Sequence, residues 1–66
     1  MEILLNDTPH ILATPLLALL VETHCAGKTA GIAVAVNQQV VPRTEWINTE
    51  LKENDQVLII RATQGG

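Results

Sequence analysis

Few residues of this chain could do chemistry, and their spacing removes most options. His24 and Cys25 are the residue types of a zinc site or of a Cys–His nucleophile. A zinc site takes three or four ligands, and the one other histidine is His10. Adjacent residues on a helix also point in different directions, so Cys25 reads as a half-buried residue at a helix end. Gly27-Lys28-Thr29 has the residue types that end a phosphate-binding loop. The full motif needs a glycine five positions earlier, where Glu22 stands. The tripeptide also follows a helix, whereas a phosphate loop precedes one. Glu45, Glu50, Glu53 and Asp55 lie around turns, with no acid–base pair in an apolar setting, and read as solvated surface. Asn6-Asp7-Thr8 is formally a glycosylation sequon, which the following Pro9 disfavours. The chain contains no serine, which excludes a serine triad.

What is left is Gly65-Gly66 at the end of the sequence. One reading is a frayed tail without a function. The other is a reactive carboxylate on a slender stem. Glycine has no Cβ, so such a stem can enter a narrow channel and adopt dihedrals closed to other residues. Composition alone does not choose between them.

The elements that must position this end follow from periodicity. Residues 2–6 form a short apolar run closed by the turn signal Asn6-Asp7, and residues 9–13 return as a second strand with Pro9 at an edge. Thr14 is the expected N-cap and Pro15 the first helical residue. Leu16, Leu17, Leu19, Leu20 and Val21 fill a wide apolar arc, the helix finishes at His24, and Gly27 stops it. Residues 31–37 (GIAVAVN) alternate large and small, which is strand periodicity with a bulky face. Residues 40–42 form a short extended piece, and residues 43–47 one helical turn carrying Trp46. Asn54-Asp55 turns the chain into a last strand, residues 56–61 (QVLIIR), apolar enough to be central in a sheet. The order β-β-α-β-β-turn-β predicts an α+β roll: a mixed sheet of four to five strands with one helix on one face.

Size and charge bound the partners. The 66 residues make one domain, 1–66, with a flexible tail expected over 62–66. Such a domain holds no deep two-lobed active site, and its core supplies roughly 3–5 kcal/mol of net stability. The apolar fraction of 47% excludes wholesale disorder. Nucleic-acid binding needs clustered cations and stacking aromatics. Here the net charge is −3, Lys28, Arg43, Lys52 and Arg61 are scattered along the chain, and Phe and Tyr are absent. The apolar stretch at 15–21 is far shorter than the ~20 residues that cross a bilayer, and the first ten residues lack the basic start of a signal peptide. One cysteine forms no internal disulfide, so a reducing, cytoplasmic setting is expected.

These features converge on a resemblance. The opening MEILLND, the segment AVAVNQQVVPRTEW (33–46) and the closing NDQVLII…GG resemble the sulfur carriers of thiamine biosynthesis, the ThiS family, within the ubiquitin-like β-grasp fold. NQQVVPR followed by Trp46 is the most specific stretch, and the likeness covers essentially the whole chain. Gln64 departs from the small or apolar residue usual before the glycine pair. The resemblance implies a protein cosubstrate, not an enzyme, with no bound cofactor and no metal. A ubiquitin-activating-like adenylyltransferase would use ATP to adenylate the Gly66 carboxylate. A persulfide sulfur-donor protein would supply sulfur, leaving a thiocarboxylate (1-thioglycine) at Gly66. Thiazole synthase would take that sulfur to build a thiazole from deoxyxylulose phosphate and a glycine imine. Gly65 and Gln64 would form the stem that enters partner active sites.

The resemblance also sets strand parity. Ile3, Leu5, Val57 and Ile59 are expected under the helix, which leaves Leu4, Leu58 and Ile60 on the open face. These three, with Arg61 as a charged rim, form the expected partner-binding patch. Trp46 is expected as a core or cap aromatic, with a partner contact as the other reading. Three other functions share parts of this pattern. The small subunit of molybdopterin synthase has the same tail, but usually carries aromatics and prolines before its glycine pair. A protein modifier would form isopeptide adducts, and a plain interaction module would tolerate loss of Gly66.

Overall fold

The computed structural model describes residues 1–61. The tail expected over 62–66 therefore lies outside the described residues. Five strands form one mixed sheet in the order β2-β1-β5-β3-β4. They are β1 (Glu2–Leu5), β2 (Thr8–Ile11), β3 (Ile32–Val36), β4 (Gln39–Val41) and β5 (Gln56–Arg61). Helix α1 (Leu17–His24) follows the first hairpin, and a 3₁₀ helix, η1 (Arg43–Asn48), follows the second. β1 and β5 run parallel, and every other pairing is antiparallel. This is the β-grasp arrangement, with the last strand at the centre.

Both hairpins close through two residues with positive φ: Asn6 (50°) with Asp7 (66°), and Asn37 (51°) with Gln38 (71°). Two left-handed residues in a row make a type I′ turn, whose twist matches that of the flanking strands. Asn and Asp tolerate this region better than most residues. The tight turn at Asn6-Asp7 sets Leu5 opposite Thr8 and Leu4 opposite Pro9. Leu4–Pro9 is then a non-hydrogen-bonded pair, so the missing N–H of Pro9 falls on the outer edge of the sheet.

Alternation along the strands builds the core. Ile3 and Leu5 of β1, Val34 of β3, and Val57 and Ile59 of β5 are buried together with Leu17, Leu20 and Val21 of α1, and with Leu12, Trp46 and Leu51. The expected parity holds for all four strand residues assigned to the helix side. The wide apolar arc of α1 is narrower than expected. Leu17, Leu20 and Val21 are buried, but Leu16 is 41% and Leu19 48% exposed. A single sheet face takes only the i, i+3, i+4 stripe.

The start of α1 also differs from its sequence signal. Thr14 and Pro15 do not cap it. The N-cap is Leu16, in an extended conformation and without a side-chain bond. The Pro15 carbonyl accepts the Leu51 N–H at 2.7 Å, and the Leu17 N–H donates to the Thr49 carbonyl at 3.1 Å. This bridge to residues 49–51 holds Pro15 and Leu16 extended and satisfies a helix-end donor that a side chain would otherwise have to cap. At the other end the Gly27 N–H reaches the Glu22 carbonyl at 2.8 Å, and the Ala26 N–H reaches that of Thr23 at 3.3 Å. That is a Schellman stop. Its left-handed residue is Ala26 (φ 54°), with Gly27 (φ 79°) after it.

Candidate functional site

The candidate site is the end of β5 and the sheet face beside it. β5 pairs with β3 along its length, from Val57 opposite Val36 to Arg61 opposite Ile32. On its other side β1 gives only the pairs Leu4–Gln56 and Leu5–Val57 before the chain turns away. A side chain continues the ladder. Asn6 Oδ1 accepts the Ile59 N–H at 2.8 Å, and its Nδ2 donates to the Ile59 carbonyl at 3.3 Å. Asn37 does the same work at the start of β5, where its Oδ1 accepts the Gln56 N–H at 2.9 Å and its Nδ2 donates to Asp55 at 3.0 Å. The two turn asparagines thus hold β5 at its start and again at Ile59, two residues before its end. Sequence reasoning read Asn6 as a turn signal only. The further clue was an amide in a left-handed turn beside a strand it can reach.

Opposite the core the sheet is uncovered. Leu58 is 45% and Ile60 50% exposed, and Leu4 is half-buried. Leu4 and Leu58 line one shallow hollow with Ala35, Gln38 and Gln56. Ala35 stands opposite Leu58, and Ala33 opposite Ile60. These alanines belong to the face and were not among the expected patch residues. Their signal was the large–small alternation of residues 31–37, whose small side lowers the surface next to two large aliphatic side chains.

Arg61 does not join this face. It alternates with Ile60, lines a shallow pocket with His24, Cys25, Ile32 and Ile59, and donates from Nη2 to the Lys28 carbonyl at 3.1 Å. The structure therefore puts Leu4, Leu58 and Ile60 on one open face, with Leu4 and Leu58 lining a common hollow, and sends Arg61 to the helix side, as strand parity requires. Gln64, Gly65 and Gly66 lie outside the described residues. Trp46 is in the core, with its Nε1–H donating to the Val41 carbonyl at 2.9 Å and the Arg43 guanidinium 5.8 Å from its ring centre.

Among the described residues no group of three or more His, Cys, Asp or Glu side chains could hold a metal ion. No helix there is long and apolar enough to cross a membrane.

The model of the ThiS family matches residues 5–66. The chain belongs to the ThiS family. Its match to the sulfur carrier protein ThiS of Escherichia coli (strain K12) is 41% identical over 39 residues, 59% of this chain and 59% of that protein. The aligned stretch thus spans under two thirds of that relative. The crystal structure of the thiamine biosynthesis protein ThiS from Geobacter metallireducens is similar over 100% of both chains, with a TM-score of 0.83 at 20% identity. At that identity the likeness speaks for the fold, and it agrees with the mixed sheet and single α-helix seen here.

Proposed function

We propose that this chain is a sulfur carrier of thiamine biosynthesis, loaded at the Gly66 carboxylate. The observation that carries the reading is the family match, which runs through Gly65-Gly66. The geometry supports it, because the central strand β5 leads directly toward that segment from beside an open apolar face. A free carboxylate is a poor electrophile. A ubiquitin-activating-like adenylyltransferase would join it to the α-phosphate of ATP, releasing pyrophosphate and leaving a mixed anhydride. The terminal sulfur of a protein persulfide would then attack the acyl carbon and expel AMP. A thiol would reduce the resulting acyl disulfide, leaving a thiocarboxylate on Gly66 and a disulfide on the donor side. Thiazole synthase would consume that sulfur.

In this scheme the carrier supplies recognition and one reactive atom, and its partners supply catalysis. Leu4, Leu58 and Ile60 would form the docking face, since clustered exposed aliphatic side chains mark binding surfaces. Gln64 and Gly65 would be the stem inside the partner. Intact-mass analysis after incubation with ATP, the activating enzyme and a sulfur source tests the reading. The expected product has one oxygen exchanged for sulfur, and the chain lacking Gly66 gains nothing. The same exchange in the truncated chain, or none in the full one, overturns the assignment.

A further inference from the structure

The four Lys and Arg residues are far apart in sequence, yet the fold gathers three of them. Arg61 Nη2 donates to the Lys28 carbonyl at 3.1 Å, and Arg43 Nη2 donates to the Thr29 hydroxyl at 2.7 Å. Both guanidinium groups are thus fastened to consecutive residues of the loop joining α1 to β3. Lys28 adds the third charge, and all three residues are exposed. Each arginine is bonded here to a neutral oxygen, and Arg43 also lies over the Trp46 ring, so neither charge is neutralised by a carboxylate in these contacts. Glu22 of α1 and Glu45 of η1 are the carboxylates of the flanking elements, and neither is the acceptor in these two bonds.

Carboxylates gather at the other end of β5. Glu53 accepts the Glu2 N–H at 3.1 Å, Asp55 accepts the Lys52 N–H at 2.8 Å, and the Asn54 N–H donates to the Glu2 carbonyl at 2.8 Å. Glu50 belongs to the same segment, and Lys52 is the one cation there. β5 starts at this acidic end and finishes at Arg61, about 17 Å away at ~3.3 Å per residue. A chain of net charge −3 therefore carries most of its positive charge where residues 62–66 depart.

We propose that Lys28, Arg43 and Arg61 form a cationic collar that docks against an acidic rim on the protein receiving residues 62–66. Separated charge of this kind orients a molecule during diffusional encounter, so the collar acts on association rate and sets which end arrives first. This inference rests on the proposed carrier role, because the activating enzyme is the partner tested. It differs from the apolar face in residues, in side of the sheet and in salt dependence.

The test is stopped-flow association with the activating enzyme, for the full chain and three variants: Lys28→Glu, the double variant Lys28→Glu/Arg61→Glu, and Glu50→Lys at the acidic end. Between about 0.02 M and about 0.5 M NaCl the unaltered chain should slow about tenfold. The double variant should start about tenfold slower at low salt, lose the dependence, and dissociate within about twofold of the unaltered rate. Lys28→Glu removes no side-chain hydrogen bond described above, so it keeps the test valid if the double variant unfolds, and it should slow association about threefold. Glu50→Lys should not slow it. Rates insensitive to salt, or slowed equally by Glu50→Lys, overturn the collar and leave the carrier role standing. Collar-dependent capture of mixed-sequence single-stranded RNA at about 0.15 M NaCl also overturns it, in favour of nucleic acid. An enzyme that neither binds the unaltered chain nor loads it with sulfur overturns the carrier role, and the collar with it.

Discussion

At the scale of single residues, Trp46 shows how much one side chain can hold in a domain this small. It is buried in the core, and its indole N–H is used by the Val41 carbonyl. Trp46→Ala removes the chain's one Phe, Tyr or Trp ring and leaves that carbonyl without its partner, at a cost of about 3–5 kcal/mol. That is comparable to the roughly 3–5 kcal/mol available to the whole domain. Urea titration should find the variant largely unfolded, and a midpoint equal to the unaltered chain's would mean that the ring serves a partner. Ala26 makes the opposite case. It holds a left-handed conformation, φ 54°, at the stop of α1. A Cβ is penalised there and glycine is not. Ala26→Gly should raise stability by about 0.5–1 kcal/mol, after its extra unfolded-state entropy is subtracted. A lowered urea midpoint would show that the alanine methyl is needed where it stands.

At the scale of elements, β5 depends on side chains that stand in for a neighbouring strand. Asn6→Ala removes both bonds to Ile59 and leaves its N–H and carbonyl unpaired on that side. A loss of about 1–3 kcal/mol is expected, together with faster hydrogen exchange at the Ile59 amide. Unchanged exchange would show that the side-chain clip is dispensable. The open face of the same strand predicts a different outcome. Leu58 and Ile60 point away from the core, so Leu58→Asp or Ile60→Asp should leave the unfolding midpoint within about 0.5 kcal/mol, as surface changes generally do. Each should weaken binding to the two proposed partners, the activating enzyme and thiazole synthase, by about tenfold, since a carboxylate must be desolvated against an apolar surface. Titration calorimetry with either partner checks this, and unchanged affinity removes these residues from the docking face.

At the scale of the molecule, the core of the described residues and the proposed chemistry fall on different stretches of the chain. Every buried hydrophobic residue of the described structure lies between Ile3 and Ile59. Deleting Gly66 should therefore leave the thermal midpoint unchanged while removing sulfur loading. A chain destabilised by that deletion would tie the terminus to the fold and contradict the separation. Charge is partitioned in the same sense, with carboxylates around the start of β5 and three cations at its end.

Periodicity in the sequence determined the strands, their faces and the helix, because alternation and the i, i+3, i+4 stripe are local consequences of backbone geometry. It separated Ile3, Leu5, Val57 and Ile59 from Leu4, Leu58 and Ile60, and the β-grasp resemblance said which set faces the helix. Elimination of other chemistry left Gly65-Gly66, and the resemblance gave that pair its role. Three features needed the tertiary structure. Thr14-Pro15 is a sound helix start read locally, but hydrogen bonds from residues 49–51 hold Pro15 and Leu16 extended and move the start to Leu17. Asn6 and Asn37 clip a strand some 20 to 50 residues further along, a pairing that only the folded topology of a sheet can create. Lys28, Arg43 and Arg61 look scattered because charge clustering depends on distance in space. They share one loop because antiparallel pairing sets the end of β5 beside the start of β3, where the loop from α1 enters the sheet, and Arg43 of η1 bonds the next residue of that loop.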